Sequence, residues 1–161
     1  MANLDSGGPA RAIRKWLSST PRRTFVLYPI LIFLLEWFIQ DGSLNINSAG
    51  LSLLLCGYGL YRFSGSYRTA HGGGGPGVGN PPEKLVDTGI YAYIRNPMYL
   101  GHLIYMAGLV VAFSSWAAGA LLIFHLWWFH QRVLEDEKHM REIFGGQFDE
   151  YAARVRRWGL I

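Results

Sequence analysis

The sequence has little charge and a single cysteine. Only 16% of its 161 residues are charged, whereas a soluble domain usually carries about 25%. Because half of the residues are hydrophobic, this deficit argues against a typical soluble domain and also against disorder. Cys56 alone can form neither an intramolecular disulfide nor a cysteine-based zinc cluster. The five histidines lack clustered H-x-x-x-H spacing, so we expect no metal site.

Two long stretches of the chain contain no basic residue. No Lys or Arg occurs between Arg23 and Arg62, and no charged residue of either sign lies between Arg95 and Arg132. A single helix across the second stretch would be about 51 Å long, which exceeds the bilayer core of about 30 Å. A polar break at Ser114-Ser115 therefore predicts a helical hairpin.

These apolar runs predict an all-α integral membrane protein with four transmembrane helices in two hairpins, followed by short cytoplasmic C-terminal helices. The predicted spans are 24–40, 49–63, 98–114 and 116–132. A single domain, 1–161, would then place three segments in the cytoplasm, which are the interfacial segment 1–23, the loop 64–97 and the tail 132–161. A soluble helical bundle with unusually apolar helices is the alternative.

The fifteen Lys and Arg residues all precede residue 24, lie between 62 and 95, or follow residue 131. The positive-inside rule places both termini of this multi-pass protein in the cytoplasm, and its membrane would be the inner membrane in a bacterium. Since topology accounts for the basic residues, we predict no nucleic-acid partner. Residues 10–17 form an amphipathic pattern that suits a helix lying on the headgroups.

The glycine-rich run from Gly72 to Gly79 formally contains G-x-G-x-x-G. A dinucleotide site requires a preceding strand and a following helix. Here the run follows a predicted membrane span and ends at Pro81-Pro82, so we interpret it as a flexible lid or spacer. Whether it closes over a ligand stays open.

Polar segments flank the second predicted hairpin. Pro97 suits the first turn of a helix, and Arg95 would lie at the cytoplasmic headgroup level. After the hairpin, Arg132 and Asp136 are four residues apart and share a helix face. A break at Gly145-Gly146 precedes a second amphipathic pattern. Composition alone favours an interfacial belt and a solvated helix face.

Two motifs flank the second predicted hairpin. The first is Leu85-Val86-x-Thr88-Gly89-x-Tyr91-x-x-x-Arg95-Asn96-Pro97-Met98-Tyr99-x-Gly101, and the second consists of two acidic residues followed by Phe144-Gly145, Tyr151 and Val155. Together, these motifs resemble the isoprenylcysteine carboxyl methyltransferase family and its phospholipid methyltransferase relatives. The resemblance covers residues 83–157 and implies an integral membrane enzyme that uses S-adenosylmethionine and releases S-adenosylhomocysteine. It implies a lipid-like, isoprenoid-linked or other membrane-partitioned acceptor.

The resemblance also implies site residues. Arg132 takes a substrate-contacting position, and Arg95 is the second predicted catalytic arginine. Asn96 replaces the commoner His, and Asp136 is one methylene shorter than Glu, so Glu135 or Glu137 could make the cofactor contact instead. The predicted cofactor-binding residues are Glu83, Lys84, Leu85, Val86, Tyr91, Asn96, Pro97, Met98, Tyr99, Asp136 and Glu137.

Two other functions fit parts of the sequence. Glu36, a carboxylate in an apolar span, would suit a small proton-coupled four-helix transporter. NADPH-dependent sterol or isoprenoid reductases look similar at their carboxyl ends but have more spans. An amine acceptor would need a base, for which His102, His125 and His130 are candidates, whereas a carboxylate acceptor needs none. The predicted partners are the bilayer and a small lipophilic substrate, and the oligomeric state stays open.

Overall fold

A computed structural model of the chain describes residues 9–74 and 82–159, and this part of the chain is all-helical, as predicted. It contains six helices and a short 3₁₀ turn, Gly89–Ala92, that precedes the fourth helix. The helices are α1 (Pro9–Leu17), α2 (Thr20–Arg22 continued by Arg23–Leu27 and Tyr28–Ile39), α3 (Ser48–Gly72), α4 (Pro97–Phe113), α5 (Trp116–Phe144) and α6 (Gly146–Arg154).

Helix α2 changes its winding near its start. Arg23–Leu27 adopts π-helical geometry between the two α-helical parts. Such π-helical segments are rare, and those that do occur are often found at functional sites. This segment stacks the ring of Phe25 on the imidazole of His102 in α4, with ring centroids 4.6 Å apart. The beginning of α2 is thereby packed against the middle of the bundle.

Four glycines allow α3 and α4 to pack with their backbones in close contact. Within each helix the two glycines are seven residues apart, so both lie on one face. A β-carbon added to Gly101 would lie 2.7 Å from the backbone nitrogen of Tyr61, and one added to Gly108 would lie 2.8 Å from that of Leu54. The contact has no room for a side chain at these positions, which are Gly50, Gly57, Gly101 and Gly108.

The hairpin between α4 and α5 turns at the predicted serines. Ser114 has a φ of +50°, a left-handed conformation that ends α4. The Ser115 side chain caps α5 by accepting a hydrogen bond from the backbone N–H of Ala118 at 3.2 Å. Buried residues then pack around the turn, namely Ile32, Leu109, Ala112, Phe113 and Ala118.

One predicted boundary is corrected by the structure. Residues 64–72 continue α3, so the loop predicted over 64–97 begins nine residues later than expected. The carbonyl of Gly72 accepts hydrogen bonds from the N–H groups of Glu83 and Lys84 at 2.7 and 3.0 Å, which stabilises the end of the helix despite its glycine. The glycines from 75 to 79 lie outside the described residues.

The tail follows the predicted pattern. Residues 132–144 continue α5 because no Gly or Pro interrupts them, and a second helix follows the predicted break at Gly145-Gly146. The helix ends at Phe144, and Gly145 has a φ of +52°. Helix α6 stops at Arg154, and Val155 is already extended.

Within residues 9–74 and 82–159, none of the helices combines the length and the sustained hydropathy that crossing a membrane requires.

Large apolar side chains are nevertheless exposed on several helices. Phe38 of α2 is 82% exposed, and Leu55 of α3 is 75% exposed. Extensive exposed apolar surface generally marks a site of interaction with a partner or a membrane. The exposed residues include Ile30, Leu31, Phe33, Leu34, Trp37, Leu51, Phe63, Trp116, Ile123, Phe124, Leu126 and Trp127.

Candidate functional site

A pocket lies between the segment that precedes α4 and the helices that follow the α4–α5 hairpin. Its empty space, including open solvent at the mouth, is about 780 Å³. We call it the first pocket. It is lined by Arg68, Pro82, Leu85, Val86, Tyr91, Arg95, Asn96, Pro97, Met98, Tyr99, Asp136, Glu137, His139, Met140, Phe148 and Tyr151.

Two buried tyrosines join the walls of this pocket. The Tyr151 hydroxyl of α6 donates a hydrogen bond to the Tyr91 carbonyl at 2.8 Å. The Tyr91 hydroxyl in turn donates to the Ser64 carbonyl of α3 at 3.2 Å. Burial raises the pKa of Tyr91 to about 12, although the charge of Arg68 opposes the shift. Burial also raises the pKa of Tyr151. Both phenols are therefore neutral and can serve as donors.

Glu137 is the centre of a buried polar cluster at the edge of the pocket. It accepts hydrogen bonds from Nε of Arg95 at 3.1 Å, Nη2 of Arg157 at 2.9 Å and Nδ2 of Asn96 at 3.1 Å. Burial alone would raise the pKa of Glu137, but hydrogen bonds from Arg157 and Asn96 and the charges of both arginines outweigh it, so the pKa is lowered. Glu137 is thus an ionised carboxylate whose two oxygens already have partners.

Arg95 connects this cluster to the end of the chain. Its Nη1 donates to the carbonyls of Ala152 and Val155, at 2.7 and 3.1 Å. With the two bonds to Glu137, four of its five N–H donors are used. This arrangement favours a positioning role for Arg95 over the predicted catalytic one, because Arg95 holds α6 and the segment after it against the pocket.

Asp136 differs from Glu137 because one of its oxygens is free. The Tyr99 hydroxyl donates to Oδ2 of Asp136 at 2.7 Å. The other oxygen, Oδ1, is buried and has no hydrogen-bond partner among the described residues. Burial raises the pKa of Asp136, while the Tyr99 hydrogen bond and the charges of Arg132 and Arg68 oppose the shift. Buried polar atoms are nearly always hydrogen-bonded, so Oδ1 is positioned to accept a bond from a ligand.

A second cavity adjoins the first pocket at Tyr99 and Asp136. Its empty space, including the open side, is about 1130 Å³. Arg132 lies here and not in the lining of the first pocket. We call this space the second cavity, and it is lined by Ser19, Thr20, Pro21, Arg22, Tyr61, Arg68, Met98, Tyr99, His102, Arg132 and Asp136.

The structure brings most of the predicted cofactor residues together. Glu83 and Lys84 are the exceptions, because their side chains are exposed and outside the pocket lining, and their backbone N–H groups bond the end of α3. The predicted residues that line the first pocket are Leu85, Val86, Tyr91, Asn96, Pro97, Met98, Tyr99, Asp136 and Glu137.

Other lining residues escape the sequence prediction. His139 and Met140 follow Asp136 by three and four residues, so helical spacing alone would have placed them beside it. Phe148 and Tyr151 belong to the apolar face of α6, and such a face is also typical of a helix that merely packs against a hydrophobic core. No motif in the sequence identifies Arg68 as a site residue. It lines the pocket because α3 continues past Phe63.

The fold and the site define an all-helical protein with a ligand pocket at the base of a helical hairpin. The chain matches the phospholipid methyltransferase family over residues 47–147, more than half of its length, and it belongs to that family. Members of this family are membrane proteins that use S-adenosylmethionine as the methyl donor.

Several curated relatives share about a third of their residues with the aligned part of the chain. Protein-S-isoprenylcysteine O-methyltransferase of Schizosaccharomyces pombe is 32% identical over 77 residues, 47% of this chain and 33% of the relative. Form B of Arabidopsis thaliana is 34% identical over 45% of this chain and 38% of the relative. The Saccharomyces cerevisiae enzyme is 33% identical over 44% and 30%. The matched region thus spans about a third of these relatives. No solved structure is significantly similar to the chain.

Proposed function

We propose that this chain transfers a methyl group from S-adenosylmethionine to a lipid-like, isoprenoid-linked or other membrane-partitioned acceptor and releases S-adenosylhomocysteine. The observation that carries the proposal is the position of Asp136, whose unpartnered buried oxygen lies where the first pocket meets the second cavity. Family membership favours this function over the transporter based on Glu36 and the NADPH-dependent reductase.

The first pocket suits the methyl donor. Oδ1 of Asp136 can accept a hydrogen bond from a donor hydroxyl or amino group, and among the carboxylate oxygens of Asp136 and Glu137 it is the one without a partner in the described residues. Glu135, the other candidate for this contact, is 68% exposed and pairs with Arg132. Tyr91 and Phe148 contribute aromatic surface, which attracts both an adenine ring and a sulfonium cation. The donor supplies an activated methyl group, and the chain binds and orients it.

The second cavity suits the acceptor, and Arg132 is the residue expected to hold it. The Arg132 side chain is 41% exposed and forms an ion pair with Glu135, at 3.2 Å. Such an exposed pair contributes only about 0–1 kcal/mol, so a ligand can compete for the guanidinium. A carboxylate or phosphate on the acceptor would form charge-assisted hydrogen bonds with it.

We propose that the apolar parts of α2 to α5, within residues 24–61 and 96–131, lie in the bilayer, with both termini on the cytoplasmic side. Three features support this placement: the exposed apolar side chains of α2, α3 and α5, the exclusion of basic residues from 24–61 and 96–131, and the family. Both cavities are lined by residues near the basic ends of these helices. A water-soluble donor and a lipid acceptor could therefore meet at the cytoplasmic interface.

Calorimetry on the detergent-purified protein tests the donor site. S-adenosylhomocysteine should bind the unmodified protein, Asp136→Asn should bind it at least about tenfold more weakly, and Glu135→Gln should bind it normally. The Glu135 variant is the matched control, since it removes the neighbouring exposed carboxylate. If the unmodified protein does not bind this ligand, the proposal is wrong. Labelled donor incubated with total membrane lipid, followed by mass spectrometry, would then identify the acceptor.

A further inference from the structure

The second cavity has a wall that lies outside the region matched to the family. The match begins at residue 47, whereas four lining residues belong to the start of α2 or immediately precede it. Facing them are Arg68 of α3, His102 of α4 and Arg132 of α5. The N-terminal wall consists of Ser19, Thr20, Pro21 and Arg22.

His102 is an unpartnered polar group in this cavity. The residue is 4% exposed, and its Nδ1 is buried without a hydrogen-bond partner among the described residues. The contacts recorded for its ring are aromatic: Phe25 at 4.6 Å, Tyr61 at 4.8 Å and Phe129 at 5.4 Å between centroids. A buried imidazole nitrogen without a partner is costly, so its position in the lining of a cavity points to a ligand that bonds it.

The charges around His102 are predominantly positive. The side chains of Arg22 and Arg68 make no hydrogen bond or ion pair with another residue in the described ranges 9–74 and 82–159, and Arg132 forms an ion pair with exposed Glu135. Asp136 is the carboxylate among the lining residues, and Tyr99 hydrogen-bonds it. When a ligand displaces Glu135 from Arg132, three guanidinium groups face one carboxylate in the lining, so an anion with two charges matches the cavity better than an anion with one.

We propose that Arg22 and His102 determine acceptor specificity, and that the second cavity takes an amphiphile whose head group is a phosphate monoester. The inference rests on the proposed function, because it makes this cavity the acceptor site. In this inference the N-terminal wall, through Arg22 in particular, selects a doubly charged phosphate over a singly charged carboxylate. His102 contributes one directed hydrogen bond to the same head group.

Binding of two simple amphiphiles tests the inference. Dodecyl phosphate and dodecanoate are titrated into the full chain in a neutral maltoside detergent at about pH 8, where a phosphate monoester with a second pKa of about 6 is doubly ionised. Dodecyl phosphate should bind more tightly than dodecanoate. Arg22→Gln should weaken its binding about tenfold and reduce the difference between the two ligands.

Arg14→Gln is the matched control, because it removes an equal charge from an exposed position on α1 that does not line the cavity. It should leave dodecyl phosphate binding unchanged. His102→Phe retains an aromatic ring against Phe25 but removes both nitrogens, so it should weaken dodecyl phosphate binding while the melting temperature and S-adenosylhomocysteine affinity stay the same.

Two results would overturn the inference while the proposed function stands. In both, S-adenosylhomocysteine binds normally. Either the protein binds the two amphiphiles equally well, or Arg22→Gln and Arg14→Gln affect dodecyl phosphate equally. If the unmodified protein does not bind S-adenosylhomocysteine, the proposed function fails, and the assignment of this cavity to an acceptor fails with it.

Discussion

Asp136 combines a free acceptor oxygen with a raised pKa, and this combination makes donor binding sensitive to acid. Because burial holds the pKa above its ordinary value, the carboxylate gains its proton at a higher pH than an exposed Asp, whose pKa is about 3.9. S-adenosylhomocysteine affinity should therefore fall as the pH is lowered, starting above that value. Asp136→Asn should flatten the profile. Calorimetric titration over a pH series measures both, and an unchanged slope in the variant would assign the titration to another group.

Glu137 has a pKa shift in the opposite direction to that of Asp136, and it makes the stability of the protein sensitive to acid. Its pKa is lowered in the folded protein, so it contributes stability above the unfolded value of about 4.3 and loses that contribution as the pH falls through the folded value. Removing the charge with Glu137→Gln leaves Arg95 and Arg157 without their anion, at a cost on the order of 3 kcal/mol. Thermal unfolding in detergent should show a large decrease in melting temperature.

Glu142→Gln is the control for that measurement. Its side chain is 60% exposed, and it pairs only with His139 among the described residues. Exposed pairs contribute little, so its melting temperature should stay close to that of the unmodified protein. Equal effects of the two substitutions would show that the Glu137 cluster does not hold the tail.

At the scale of the helices, the glycine contact between α3 and α4 determines stability. A β-carbon at Gly57 would collide with the backbone of Tyr105, whereas one at Gly59, on the same helix, meets nothing within 4 Å. Gly57→Ala should destabilise the protein by about 1–3 kcal/mol through overpacking. Gly59→Ala should be neutral or stabilising by up to about 1 kcal/mol, since alanine favours helix. Unfolding curves that show the same change for both would contradict this packing.

The extents of the helices show what the sequence can and cannot determine. Apolar runs and the Ser114-Ser115 break locate α2 to α5, because burial and turn chemistry are local signals. The end of α3 is not local, since the bonds to the Gly72 carbonyl come from Glu83 and Lys84 across the loop. Because a loop is predicted from residue 64 onward, the sequence does not predict that Arg68 lines both cavities, which it does only as part of a helix.

The site also contains residues that the sequence can predict and residues that it cannot. The resemblance identifies Tyr91, Asn96 and Asp136, which do line one pocket. It does not separate the roles of Asp136 and Glu137, because their difference depends on which neighbours occupy their oxygens. Arg157, which bonds Glu137 from the end of the tail, lies outside any motif. Such pairings depend on tertiary distances and require coordinates.

For the whole molecule, the proposed membrane placement has a direct test in Cys56. It is the sole cysteine of the sequence, and it lies exposed on α3 within the apolar part of the helix. A thiol that faces lipid is inaccessible to polar reagents. A charged maleimide should leave it unlabelled in intact membranes and label it after denaturation in detergent. Rapid labelling in intact membranes would place this face of α3 in water.

The hydrogen-bonded pair of Tyr99 and Asp136 lies between the two cavities, because both residues line both of them. A molecule that engages the carboxylate from one compartment changes the charge and the phenol orientation encountered in the other. Binding of ligands in the two compartments is therefore thermodynamically linked, and the linkage is reciprocal. Each ligand changes the affinity of the other by the same factor.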